Sequence, residues 1–284
     1  MIIVADSGSM KCDWAVVARD GRVVKEFKTM GFHPLFHSST LIEKILGHMS
    51  EFKTIASQIE EVYFYGPGND IPQRAHIIET AMRNIFSHAE AVEVADDITA
   101  SAYASYKGEP VIACILGTSS HACTYDGKEV VLARPPLGFI LGSEGSGSYF
   151  GKKIIRDYFY NRLPEDLHQA FSERYNLNVE EFTDRLYRDP QAHLYVAGFM
   201  QFVCDNREHP YIQKISEKGF RKFIENQIVK FENAESMPIH FLGSVAYFFQ
   251  DQIKTLCEEY NLKPKTFNRK PVVNLLNYHT TGKQ

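Results

Sequence analysis

Residues 2–14, Ile2-Ile3-Val4-Ala5-Asp6-Ser7-Gly8-Ser9-Met10-Lys11-Cys12-Asp13-Trp14, decide how the chain is read. Four apolar, β-prone residues end on an acid, and a run of small polar residues follows. A second apolar run, Trp14 to Ala18, leads through the turn signal Asp20-Gly21 into a third, Val23 to Phe27. The pattern predicts a three-stranded meander carrying a loop at residues 6–13. Gly8 and its serine neighbours let main-chain N–H groups approach phosphate oxygens. Lys11 supplies neutralising charge, and Asp6 at a strand end is placed to orient a hydrated Mg2+. Read by itself, the same loop is equally a hairpin turn with solvated charges.

The plan recurs further along. Val111 to Leu116 is an apolar run, Gly117-Thr118-Ser119-Ser120 a small polar loop, and the strand through Tyr125 turns at Asp126-Gly127 into Glu129 to Ala133. Taken singly the second loop reads as an ordinary β-turn. A duplicated β-loop-β unit facing its copy, however, sets two backbone-donor loops around one ligand, and the repeat makes a phosphate clamp the expectation.

Between the repeats lie a helical pattern (Leu41, Ile42, Ile45, Leu46, Met49), a strand at Val62 to Tyr65, a helix from Ile71 to Phe86 and a strand at Ala91 to Ala95. Strands alternating with helices imply α/β layers. Beyond Gly151 the pattern shifts to amphipathic helices near 151–162, 165–175, 192–205, 208–232 and 244–260, broken by the short apolar run Ile239 to Leu242. The sequence is thus read as two domains, residues 1–108 and an α-rich 109–264, with the turn-forming Tyr106 to Pro110 at the boundary. A helical piece at 265–284 is expected to return to the first domain.

Bulk properties narrow the function. The 284 residues exceed one ordinary domain, and 44% apolar content supports two cores. A net charge of −4 offers no broad positive field, arguing against nucleic acid and anionic lipid as partners and for a small solute. Five cysteines without a CxxC pair indicate neither a disulfide framework nor a thiolate zinc site, so a reducing cytoplasm is the expected setting. No apolar run approaches membrane-spanning length and no cleavable leader is evident, so no membrane role is expected.

Three further stretches carry candidate chemistry. Residues 137–147, LGFILGSEGSG, pack glycines densely ahead of a helix whose first amides are expected to be free, with Glu144 as a substrate or metal contact. A structural connection between domains is the competing reading. Asp96-Asp97 ends one strand and opens a helix at about residue 98; either carboxylate is positioned to take a proton from an acceptor hydroxyl while the other caps the helix. Phe241 to Ala246 is a further strand, small loop and helix junction. By contrast, His33 and His37 are separated by Pro34, which argues against a shared helical metal face.

In order, DSGSMKCDW (6–14), GFHP (31–34), YGPG (65–68), VADD (94–97), GTSSHA (117–122), LGFILGSEGSG (137–147) and FLGSVA (241–246), closing with Pro271 and Tyr278-His279, resemble the motif series of the N-acetylglucosamine kinase and BadF/BadG/BcrA/BcrD-type ATPase family. The resemblance runs nearly end to end and implies an α/β fold of two ribonuclease-H-like, actin-like ATPase domains around a central nucleotide cleft. It implies a first phosphate loop of Asp6, Gly8, Ser9 and Lys11, with Mg2+ near Asp6, and a second of Gly117, Thr118 and Ser119. Gly243, Ser244 and Ala246 fall on the adenosine side, Asp97 at the catalytic base, and Gly142, Glu144, Gly145 and Gly147 in the sugar-proximal loop. His33, Gly68, His121, Gly138, Ser143 and Glu144, with Asp97, are the substrate positions carried over.

The implied activity is transfer of the ATP γ-phosphoryl group to a hydroxyl of an amino sugar or related carbohydrate. The alternative is a BadF-type nucleotide-binding ATPase or regulator that has lost sugar kinase activity. Relatives of this family also suggest a homodimer. The chain departs from the family pattern at Met10 and Cys12 (usually Thr or a small polar residue), His33 and His121 (usually Asn), Ser143 (usually Asp) and Ser119 (usually Gly). The first removes a phosphate hydrogen bond. The changes at residues 33, 121 and 143 alter the groups that discriminate sugars, leaving the identity of the sugar open.

Overall fold

Ile3, Val4 and Ala5 are fully buried in succession, as expected of a central strand covered on both faces. In the computed structural model, which describes residues 1–269 and 272–281, they belong to β1 (Ile2–Ser7) of a five-stranded sheet. The strands β2 (Lys11–Val17), β3 (Val23–Met30), β4 (Glu61–Tyr65) and β5 (Ala91–Ala95) complete it in the order β3-β2-β1-β4-β5. β1, β2 and β3 form an antiparallel meander, and β4 and β5 run parallel to β1. The ladder pairs Asp6 with Asp13 and Ser7 with Cys12, so the loop contracts to residues 8–10 instead of 6–13. Polar side chains extend the strands here because each has a partner: Ser7 bonds the chain at Phe32, and Asp13 pairs with lysines.

One face of this sheet packs against α1 (Ser39–Gly47), α2 (Ser50–Ile55) and α3 (Pro72–Ile85), joining Ile3, Trp14, Val16, Val62 and Phe64 to Ile42, Leu46, Phe52, Ile78 and Met82. By strand alternation Val4, Tyr63 and Tyr65 turn to the opposite face. There α4 (Asp97–Ser105) and the C-terminal helix Val272–Thr281 cover the sheet. These elements, residues 1–109 with the C-terminal helix, make one compact unit.

The second unit, Pro110–Arg269, repeats the topology. β6 (Val111–Leu116), β7 (Ser120–Tyr125) and β8 (Val130–Leu132) form the meander, and β9 (Pro238–Leu242) and β10 (Lys263–Asn268) lie parallel to β6, in the order β8-β7-β6-β9-β10. A short α5 (Gly138–Leu141) precedes α6 (Gly147–Phe159), α7 (Glu165–Tyr175), α8 (Val179–Arg188), α9 (Ala192–Gly198), α10 (Met200–Asp205) and α11 (Pro210–Phe223). α11 runs into a π-helical turn at Ile224–Ile228, and α12 (Ser244–Phe248) and α13 (Gln250–Glu259) cross from β9 to β10. Ile112, Leu116, Phe150, Ile154, Phe220 and Phe241 centre its core.

The expected helix at 265–284 is corrected in its first residues, because Lys263 to Asn268 is the edge strand β10. Pro264 and four polar residues, Lys263, Lys265, Thr266 and Asn268, hide the strand in the sequence. An edge position with a register shift between Pro264 and Thr266 accommodates the proline. Pro271 and residues 282–284 lie outside the described residues. The helix α8 was not expected; none of its residues is fully buried, but Phe182 and Leu186 rest against the core, and Asn178 caps it, accepting from the amides of Glu180 and Glu181. All five cysteines are buried and free, and among the described residues no helix is long and apolar enough to cross a membrane.

Candidate active site

In the first unit the candidate residues gather where β1, β4 and β5 end. Asp6 and Asp13 face each other across the ladder. Burial, with repulsion from Asp13 and Asp97 and opposition from Lys11, pushes the Asp6 carboxyl up to about 7. Asp13 is itself nearly buried and takes Lys11 Nζ at 2.6 Å and Lys28 Nζ at 3.7 Å. Lys11, expected to face phosphate, is therefore paired with Asp13. The turn closes through the Gly8 amide, which donates to the Lys11 carbonyl at 2.8 Å. That amide is accordingly an internal bond rather than a phosphate donor.

Ser7 organises the surroundings of this turn. Its Oγ accepts from the Phe32 amide at 2.9 Å and lies 3.3 Å from the Phe32 carbonyl, fastening residues 31–33 beside β1. Gly31 lies so near the Gly8 carbonyl that a Cβ at Gly31 would overlap it. His33 in turn lies over Gly68, which holds a φ of +82°, and a Cβ at Gly68 would come within 2.6 Å of the imidazole. Asn69 Nδ2 donates to the carbonyls of Gly66 and Ala95 at 3.0 and 3.3 Å, tying the end of β4 to the end of β5. Asp96 caps α4, accepting from the Thr99 amide at 2.8 Å, and the helix begins at Asp97 rather than Ile98. This divides the two carboxylates: the cap is Asp96, and Asp97 stands in the first turn near enough to Asp6 for the two to repel.

In the second unit the loop 117–119, the loop 142–147 and the junction at Gly243 come together. The Gly147 and Ser148 amides donate to the carbonyls of Gly117 and Thr118 at 2.8 and 3.1 Å, and Ser146 caps the Tyr149 amide. The expected free amides at the start of α6 are thus taken up by the neighbouring loop, which they brace. Gly243, at φ +109°, packs so closely on the Leu116 carbonyl that a side chain there is sterically excluded. Ser244 is exposed, whereas Ala246 is wholly buried in the core, so its contribution on this side is packing. Gly117, Thr118, Ser119 and His121 are half-buried.

Ser143 adopts a left-handed φ of +62° and is 5% exposed, with its Oγ lacking a hydrogen-bond partner among the described residues. Glu144 Oε1 accepts from Asn226 Nδ2 at 3.2 Å, and its carbonyl takes Ser120 Oγ at 2.7 Å. Asn226 lies in the π-helical turn, a form that recurs at functional positions. Gly138, at φ +70°, opens the exposed α5 and is separated from the loop core by that helix.

Sequence reasoning missed Ser7, Asp13, Asn69 and Asn226. The signal for Asp13 was present, since a hairpin closing at Gly8 places it opposite Asp6. Asn226 gave none, because its role depends on a local change of helix type. Among the described residues no cluster of three or more His, Cys, Asp or Glu could hold a metal unaided.

Over their full lengths the chain matches the crystal structure of a candidate N-acetylglucosamine kinase from Porphyromonas gingivalis, with 31% identity and a TM-score of 0.93. A candidate N-acetylglucosamine kinase from Chromobacterium violaceum is 15% identical over 97% of each chain (TM-score 0.69). A ROK-family glucokinase from Streptomyces griseus, in complex with glucose and AMPPNP, is 13% identical over 97% of this chain and 98% of that one (TM-score 0.54). These two share the fold. No protein-family model and no curated protein matches the chain.

Proposed function

The chain belongs to the family of the Porphyromonas gingivalis N-acetylglucosamine kinase candidate, and on that premise we propose that it transfers the γ-phosphoryl group of ATP to a hydroxyl of an amino sugar or related carbohydrate. Asp97 accepts the hydroxyl proton as the new O–P bond forms and the bond from phosphorus to the β-phosphate oxygen breaks, releasing ADP. The observation that carries this reading is the repulsion between Asp97 and Asp6, two carboxylates at the ends of β5 and β1, the strands on either side of β4.

Asp6 also suits a divalent cation. Its enclosed carboxyl is crowded by Asp13 and Asp97, a field that positive charge relieves. With no three-ligand cluster among the described residues, Mg2+ would be held by Asp6 together with water and nucleotide oxygens, and would neutralise charge on the phosphates. The turns at residues 8–10, 117–119 and 243–244 are the proposed nucleotide contacts, and His33, Gly68, His121, Gly138, Ser143 and Glu144 the proposed sugar contacts. A cytoplasmic homodimer is the proposed state, in keeping with five free thiols and ATP as donor.

A panel of neutral, N-acetylated and acidic sugars incubated with Mg-ATP, read by mass detection of phosphorylated product, tests the proposal. Stoichiometric phosphosugar and ADP support it. ATP binding without sugar-dependent turnover assigns the chain instead to the nucleotide-binding regulators, a reading favoured by Met10 in the phosphate turn and Ser143 in the sugar loop.

A further inference from the structure

The helix that carries Asp97 has little in its own side chains to fix its orientation. α4 reads Asp97-Ile98-Thr99-Ala100-Ser101-Ala102-Tyr103-Ala104-Ser105, and of these Ile98, Ala100, Ser101, Ala102, Ala104 and Ser105 are buried, all but Ile98 with small side chains. Small residues let a helix approach closely but give shallow ridges, so its rotation and register depend on what it packs against. Its principal helical partner is the C-terminal helix, which also rests on β1 and β2.

The contacts across this layer are specific. Tyr65 Oη and His279 Nε2 share a buried hydrogen bond of 2.7 Å. Tyr63 stacks on the His279 ring at 3.7 Å between centroids, with an 18° interplanar angle. Tyr103 of α4 stacks on Tyr278 at 4.3 Å and 10°, and meets Tyr65 edge-on at 6.1 Å. Tyr65 closes β4, and the next residue, Gly66, donates its amide to the carbonyl of Ala95 at 3.0 Å, two residues before Asp97. Two routes therefore lead from the C-terminal helix to Asp97. One passes from His279 through Tyr65 and Gly66 to Ala95, the other from Tyr278 through Tyr103 along α4.

We infer that the Tyr65–His279 pair is a positioning device for the reaction: Tyr65 and His279 hold the first turn of α4 so that Asp97 meets the acceptor hydroxyl. The inference rests on the reading of Asp97 as the base. It assigns a role at the site to a helix that lies far from Asp97 in sequence.

Tyr65→Phe, which keeps the ring and removes only the hydroxyl, and His279→Gln are compared with the parent chain by hydrogen exchange with mass detection. Exchange across α4 rises about tenfold in each variant, and the double variant adds little to either single one. Exchange in α3, on the other face of the sheet, stays unchanged. With a sugar substrate in hand, kcat falls 5- to 50-fold while KM for ATP stays within twofold. Unchanged exchange in α4, an equal rise in α3, or an effect confined to KM overturns the inference. If His279→Gln does not fold, Tyr65→Phe decides alone by the same criteria. Asp97→Asn runs in parallel: full turnover in that variant removes the base assignment and leaves the exchange result to stand or fall separately.

Discussion

Gly66 and Gly243 hold the same place in two copies of one topology. Each follows the fourth strand of its sheet and donates its amide to the last residue of the fifth, Ala95 at 3.0 Å and Asn268 at 2.9 Å. Each also backs onto the end of the first strand, Gly66 against Ser7 and Gly243 against Leu116. The junction is a shared device for bringing three strand ends together without an intervening side chain.

Gly243→Ala is therefore expected to destabilise the second unit by about 2–4 kcal/mol, combining a φ of +109° with a clash against the Leu116 carbonyl. Gly117→Ala, where a Cβ meets nothing within 4 Å, is expected to change stability by less than about 1 kcal/mol. It should nevertheless reduce the thermal shift produced by Mg-ATP, since the methyl group enters the space proposed for phosphate. Urea titration and thermal shift separate the two effects, and equal destabilisation by both variants would contradict the packing described.

Asp6 makes stability depend on pH. Its folded carboxyl is raised from 3.8 to about 7, so the folded state binds this proton more tightly than the unfolded one. The stabilisation from protonated Asp6 is fully present below about pH 4 and is lost as pH rises through 7. Asp6→Asn removes the ionisation and should be more stable than the parent above pH 7.5, by something on the order of 2–4 kcal/mol, with the gap closing toward pH 5. The same variant should lose the Mg2+-dependent part of the response to ATP. A gap that does not vary between pH 5 and 8 would rule out the proposed origin.

Ser7→Ala deletes the hydroxyl that fastens Phe32 and its neighbours to β1, leaving a buried amide without its acceptor. The expected cost is about 1–3 kcal/mol. Because His33 follows immediately, KM for the sugar should rise several-fold with kcat less affected. Denaturant titration and steady-state kinetics check both halves, and an unaltered KM would separate residues 31–33 from the sugar.

Asp97→Asn should lower kcat by about 10²–10⁴-fold and leave the ATP dissociation constant within threefold, as expected if the proposed base is removed and the proposed nucleotide contacts lie elsewhere. Calorimetry for ATP and single-turnover product formation measure the two quantities independently.

The duplicated meander was legible because Asp6 to Lys11 and Gly117 to Ser120 both follow apolar runs, and the order of the later motifs gave the family resemblance. The strand β10 was hidden by Pro264 and by lysines that an edge strand tolerates. The amides of Gly147 and Ser148 read as free because a sequence does not reveal that a distant loop, at Gly117 and Thr118, offers them carbonyls. Ser7 and Asn69 were overlooked for a related reason: each ties together segments whose proximity exists only in the folded chain, Ser7 to Phe32 and Asn69 to Ala95.

The return of Val272–Thr281 to the first unit has a consequence for biosynthesis. When Glu109 has left the ribosome, the layer over Tyr63 and Tyr65 still lacks its outer helix, and about 160 more residues must be translated first. At about 5–20 residues per second that is a delay of roughly 10–30 s. During this interval the nascent first unit presents an uncovered aromatic surface, a natural point of engagement for chaperones. A stalled or prematurely terminated chain would expose the same surface permanently.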